Sequence, residues 1–171
     1  MEQLSGKNWS MADISAKKTT KRVAIAAGKI RVGEKAYGLI ERKAMPKGDP
    51  LAMAEIAGIQ AAKQTPSLIP LCHPISLNRV MIHSVMRPGD HSVELFCVAE
   101  IAEKTGVEME ALTGLSVALL TIWDLTKPVN PALEITGQRL VYKSGGKSGT
   151  WVHPGGMPLE VEALLKAGSG S

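Results

Sequence analysis

The chain has 171 residues and suits one domain, long enough to bury a real core. Apolar residues make up 44% of it, which excludes a disordered chain, while one Phe, two Tyr and three Trp leave the core to Ala, Val, Ile, Leu and Met. The net charge of +4 is unevenly placed: residues 1–47 hold 11 Lys/Arg against 4 Asp/Glu, and the rest hold 9 against 12. This asymmetry points to a basic arm that meets an anion, set against the plainer reading of a solvated basic terminus.

Residues 1–21 are polar and read as a basic N-terminal arm. The opening MEQLSGKNWS lacks the apolar core of a secretory signal. Val23 to Val32 reads as a first strand. Gly48-Asp49-Pro50 starts a helix, with Asp49 as N-cap and Pro50 at the first helical position. Leu51, Ile56, Ile59 and Ala62 are expected to be its buried side, and Pro66 to end it. Ile69 to Pro74 is too proline-rich for regular structure. Leu77 to Arg87, a turn at Arg87-Pro88-Gly89-Asp90, and Ser92 to Ile101 form a hairpin. In its second strand Val93, Leu95, Cys97, Ala99 and Ile101 share one face, with Glu94 and Glu100 on the other.

A long helix is expected from about Glu108 to Lys127, stopped by Pro128. Arg139 to Lys143, preceded by Leu133 to Thr136, supplies the last strand. The order is β-α-β-β-α-β, the ferredoxin-like split pattern of the α+β class: an antiparallel sheet with two helices on one face. Residues 22–149 form this domain. Residues 150–171 are a C-terminal tail, expected to be partly disordered.

On the long helix, Leu112, Leu115, Leu119, Ile122 and Trp123 form the core stripe. The opposite side carries Glu110, Thr113, Gly114, Val117, Thr121 and Asp124. Small residues fill its middle, and Gly114 costs about 1 kcal/mol against Ala. Such a face permits close approach, most simply by another subunit. Lys127 follows Asp124 by three residues, so the two are neighbours and fit either a proton-transfer pair or a plain ion pair at a helix end. Glu110 and Asp124 are about 21 Å apart along the axis. One small substrate meets both only if an antiparallel copy of the helix brings them together.

Lys143-Ser144-Gly145-Gly146-Lys147-Ser148-Gly149 reads as an anion cradle: glycines expose backbone N–H groups and two lysines add charge. It is not a Walker A sequence. His73, held between Pro70 and Pro74, suits acid/base work or a structural loop role. Cys72 and Cys97 read as buried free thiols of a reducing compartment. His83, His91 and His153 show no ligand spacing, so no metal site is expected. The uncharged stretch Ala111 to Trp123 is too short to span a bilayer. RNA-recognition domains share the topology, but Phe96 is the only Phe and the strands lack their aromatic pattern. A non-catalytic oligomeric scaffold is the third class of reading.

The segments SAKKTTKR, GDPLAMAEIAGIQAAKQT, IPLCHP, KTGVEMEALTGLSVALLTIWDLTK and KSGGKSG, in that order between Asp13 and Gly149, resemble the cyclic pyranopterin monophosphate synthase family of molybdenum cofactor biosynthesis. The resemblance implies a lyase that converts cyclised 7,8-dihydro-GTP to cyclic pyranopterin monophosphate and pyrophosphate. It implies a hexamer, a trimer of dimers, with active sites at a subunit interface; a cytoplasmic location is expected from the free thiols, the missing secretory signal and the short uncharged stretch. It places the family's catalytic aspartate at Asp124 and its partner lysine at Lys127. Lys47, His73 and Glu110 join them as catalytic positions. Leu71, Cys72, His73, Met109, Glu110, Glu108, Lys63, Arg22, Lys143 and Lys147 match substrate-binding positions. No cofactor is implied, although magnesium could accompany the triphosphate. Nucleic acid and membrane are not expected partners. Pro50 stands where the family often has an aliphatic residue, and the tail after Gly149 is longer than the family core requires.

Overall fold

The computed structural model describes residues 9–168. Its elements are β1 (Thr20–Arg31), α1 (Glu34–Glu41), α2 (Pro50–Lys63), α3 (Thr65–Leu68), β2 (Arg79–Arg87), β3 (Ser92–Glu103), α4 (Glu108–Thr126), β4 (Glu134–Ser144), β5 (Trp151–Val152) and α5 (Leu159–Gly168). The strands form one antiparallel sheet in the order β2-β3-β1-β4-β5. Removing β5 leaves the expected ferredoxin-like arrangement: β1 and β2 run the same way, split by β3.

The alternation in β3 sets the layers. Val93, Leu95, Cys97, Ala99 and Ile101 are buried under the helices, together with Ala24, Ala26 and Ile30 of β1. Leu115, Leu119 and Ile122 of α4 complete this core, with Leu112 and Trp123 packed at its margin. The anticipated stripe on α4 is therefore its inner face. At 19 residues and a mean hydropathy of 1.2, α4 is long and apolar enough to meet the simplest test for a bilayer span, contrary to the expectation from its shorter uncharged stretch. Here that apolar stripe faces the sheet of its own domain.

At Gly114 the small-residue side of α4 meets a neighbour within its own chain. At Gly114 a Cβ would lie 2.9 Å from Cys97 Sγ and 3.0 Å from the carbonyl oxygen of Gly58. At Gly58 it would lie 2.8 Å from Ile82 Cδ1 and 3.0 Å from the carbonyl oxygen of Gly114. The close partner at Gly114 is thus α2 of the same chain, not another subunit. The crossing also corrects the α2 pattern. Pro50, Ala54, Gly58, Ala61 and Ala62 are buried, and Leu51 and Ile59 pack partly buried against the core as expected, but Ile56 is 61% exposed. Only small residues fit where two helices nearly touch, so the larger Met53 and Ile56 face outward. The start of α2 is as expected: the Asp49 carboxylate accepts hydrogen bonds from the backbone N–H groups of Leu51 and Ala52.

Four elements escaped the sequence reading: α1, α3, β5 and α5. Helix α1 is eight residues long and has no side-chain cap, yet buries Ala36, Tyr37 and Ile40. The two final strand pieces are one strand, β4, whose pairing with β1 is interrupted by irregularities near Gly137 and Val141. Beyond it, β5 and α5 occupy much of the tail. Val161 and Leu164 of α5 cover Ile25, Ala27, Phe96, Val98 and Val141 on the second face of the sheet. Helix α5 is pinned by Arg87, which bonds Glu94 of β3 at 2.6 Å and also Glu160. Phe96 is fully buried beneath it, so the surface on which an RNA-recognition sheet would stack bases is covered.

Because the facing atoms at Gly114 include backbone, the helices cannot yield to a larger side chain. Gly114→Val is expected to destabilise the fold by about 1–3 kcal/mol, read as a lower urea midpoint with unchanged slope.

Candidate active site

Two clefts meet at the N-terminal end of α4. The first, of about 160 Å³, lies between the loop Leu71–Ile75 and the segment Thr105–Glu110. Leu71, Cys72, His73, Glu108, Met109 and Glu110 all line it. The second lies between the loop after β4 and the start of β1, lined by Arg22, Glu108, Lys143, Ser144, Gly145, Lys147 and Ser148. Gly106 and Glu108 border both, so the two are continuous. Nine of the sequence-selected positions thus converge from four separate parts of the chain.

Local backbone explains the cradle. Gly145 and Gly146 have φ of +97° and +72°, a left-handed conformation that glycine adopts without strain. A Cβ at Gly145 would run into the carbonyl oxygen of Lys21, so the loop can close against β1 only with glycine there. Arg22 is held at its base: Nε donates to the Glu103 carbonyl at 3.2 Å and Nη2 to that of Lys104 at 3.3 Å. Lys143 Nζ reaches Glu108 Oε1 at 3.0 Å across the cleft.

Glu110 is 3% exposed. Burial, with a smaller contribution from the Glu108 charge, raises its pKa above the ordinary carboxyl value. Burial also pushes up the Cys72 thiol, and the Glu110 charge adds to the effect. Cys72 therefore lines the cleft as a neutral free thiol, half-buried rather than buried as expected. Cys97 is the true core thiol, pushed up to about 12 by burial. Both are free.

The other end of α4 is a different environment. Lys127 caps the helix, and its Nζ lies 2.6 Å from Asp124 Oδ1. Both side chains are more than half exposed. The Lys127 hydrogen bond and charge, with a further contribution from Lys47, hold the Asp124 carboxyl below its ordinary value. Lys47 thus belongs to this end, on the exposed turn before α2. Lys63 is exposed in the last turn of α2 and lines neither cleft. Among the described residues, no group of three His, Cys, Asp or Glu side chains is placed to hold a metal ion.

Sequence reasoning overlooked Ile75, Thr105, Gly106, Ser144 and Ser148 as cleft positions. Ser144 and Ser148 stood in the cradle motif and signalled hydroxyl donors there. Ile75, Thr105 and Gly106 carried no such signal, since only the folded chain turns them toward the site.

A split β-α-β-β-α-β domain with a cationic cleft and carboxylates at both ends of its central helix defines a compact α+β enzyme. The chain belongs to the MoaC family, whose family model matches residues 11–146. It is similar to the cyclic pyranopterin monophosphate synthase of a Nocardioides species, 47% identical over 145 residues that span 84% of this chain and 89% of that one. The Rhodospirillum rubrum protein of the same name is 44% identical, over 84% of this chain and 87% of its own length. A mitochondrial protein of that name from Arabidopsis thaliana is 48% identical, over 82% of this chain and 52% of its own.

The Asp124–Lys127 contact has a defined electrostatic sign. Lys127→Met removes the main donor, so the Asp124 carboxyl should titrate at higher pH, closer to 3.8. Carbon-13 NMR of the aspartate carboxyls in the two proteins measures the shift, and an unmoved midpoint contradicts the assignment.

Proposed function

We propose that this chain converts cyclised 7,8-dihydro-GTP to cyclic pyranopterin monophosphate, releasing pyrophosphate, in molybdenum cofactor biosynthesis. Family membership and the names of its relatives support the reaction. The division of the acid/base groups between the two ends of α4 carries the second part of the reading: the active site is completed by a partner copy. Asp124 and Glu110 are separated by about 21 Å on one helix. Between the two ends the exposed helical surface bears Met53, Ile56 and Leu120, each close to half exposed or more. An antiparallel partner across this surface brings Asp124, Lys127 and Lys47 of one chain beside Glu110 and His73 of the other. A hexamer built as a trimer of such dimers follows the same plan.

In that site the triphosphate lies against Arg22, Lys143 and Lys147, with the exposed Lys63 at its margin. Charge-assisted hydrogen bonds there hold phosphate oxygens and stabilise the departing pyrophosphate. Leu71, Cys72 and Met109 contact the ring system. Opening the purine-derived ring and rebuilding it as a pterin requires proton transfers. A carboxyl with a raised pKa, Glu110, suits proton donation, and the ionised Asp124 beside Lys127 suits proton acceptance. Cyclisation of the phosphate follows when a substrate hydroxyl attacks the α-phosphorus: a new P–O bond forms, the bond to the bridging oxygen breaks, and pyrophosphate leaves. These steps exchange no electrons with a cofactor, and magnesium would serve only to accompany the phosphates. Free thiols at Cys72 and Cys97 fit a reducing compartment, and the cytoplasm is our reading for this chain.

Purified protein given the cyclised substrate should release pyrophosphate, and Asp124→Asn should lower kcat by about 10²–10⁴. Mixing two inactive variants, Asp124→Asn and Glu110→Gln, should restore about a quarter of wild-type activity, since half of randomly paired dimers regain one intact site. Failure to complement in a mixture shown to exchange subunits would sink the shared site.

A further inference from the structure

Residues 9–19 contain no helix or strand, yet they are tied to the cleft. Asp13 Oδ1 accepts a hydrogen bond from Ser15 N at 2.8 Å, closing a small turn. Lys104 Nζ donates to the Ser15 carbonyl at 3.1 Å, and His73 Nε2 lies 2.8 Å from the Ala12 carbonyl oxygen. The segment then carries Lys17 and Lys18 along the wall of an open groove of about 820 Å³ and enters β1 at Thr20. That groove shares Arg22, Lys147 and Ser148 with the cradle cleft, so it is the outward continuation of the same cationic surface.

A carbonyl oxygen only accepts. A neutral imidazole bonded to it through Nε2 must carry its hydrogen there, which leaves the lone pair on Nδ1. His73 Nδ1 has no hydrogen-bond partner among the described residues, and His73 borders the cleft that holds Glu110. The same contact that sets the tautomer therefore also ties down the stretch of chain that bears two lysines.

We propose that residues 9–19 form a strap clasped to the active site, with two positioning groups of separate effect: the Ala12 carbonyl holds His73 as its Nε2–H tautomer, and Lys104, bonded to Ser15, holds Lys17 and Lys18 at the outer end of the cleft, where they receive the terminal phosphates of the substrate. The proposal rests on the function given above for its substrate, but the clasp itself does not. Lys104 touches the strap rather than the reacting atoms. Its loss loosens the lysine-bearing segment and leaves the proton-transfer groups in place.

Lys104→Met is the direct test. Trypsin cleavage after Lys17 and Lys18 should become severalfold faster than in the wild type. KM should rise severalfold with kcat nearly unchanged, a division that general destabilisation would not produce. Nitrogen-15 NMR of the imidazoles should show neutral His73 as the Nε2–H tautomer, with the preference lost when residues 1–12 are removed. His73→Gln retains an N–H near the position of Nε2 and should keep the strap protected from trypsin, whereas His73→Asn should not. Equal digestion of Lys104→Met and wild type, or a wild-type His73 in the Nδ1–H form, overturns the strap. Digestion and NMR need no turnover: absent pyrophosphate release with an intact clasp refutes the functional reading alone, and normal turnover with unchanged digestion refutes the strap alone.

Discussion

The near-contact of α2 and α4 at Gly58 and Gly114 is the constraint on which the rest of the molecule depends. Each glycine faces the other's carbonyl oxygen, and Cys97 and Ile82 fill the space on the sheet side. Interiors this closely packed do not deform gradually. With α4 fixed against α2 and the sheet, both of its ends are fixed too. One end is placed beside the Leu71–Ile75 loop and the glycine cradle, the other beside the turn that carries Lys47. The chemistry is thus arranged by a contact that contains no reactive group.

The two ends differ in solvent exposure, and this gives two similar carboxylic acids different properties. Glu110 is buried and resists ionisation. Asp124 is exposed and bonded to an ammonium group, and ionises easily. One helix thereby presents a proton-rich group at its start and a proton-poor group at its end. The positively charged cradle beside Glu110 adds a third environment suited to phosphate oxygens.

Much of this was legible in the sequence because it rests on local rules. The Asp49-Pro50 start of α2, the alternation in β3 and the core stripe of α4 follow from capping and periodicity. The cradle was visible in its glycines and lysines. What remained hidden depends on tertiary neighbours. Ile56 looked like core because it is apolar, but the α2 interface admits only small residues. Gly114 announced a close approach without naming its partner. Helix α1 is short and uncapped, and α5 follows a glycine-rich stretch that reads as loose chain. Cys72 and Cys97 each follow a large apolar residue, yet one borders a cleft and the other lies in the core. Only the resemblance to a family singled out Lys47, since no pattern in its own segment marks it.

The covering of the second sheet face by α5 has a practical consequence for handling the protein. The family match ends at residue 146, and α5 lies beyond it, on the side of the sheet opposite α4. The two chain ends are therefore unequal places for attachment. A linker joined after α5 continues from a helix packed on the face of the sheet away from α4. A fusion at the other end enters through the segment that touches His73 and pulls directly on the catalytic surface.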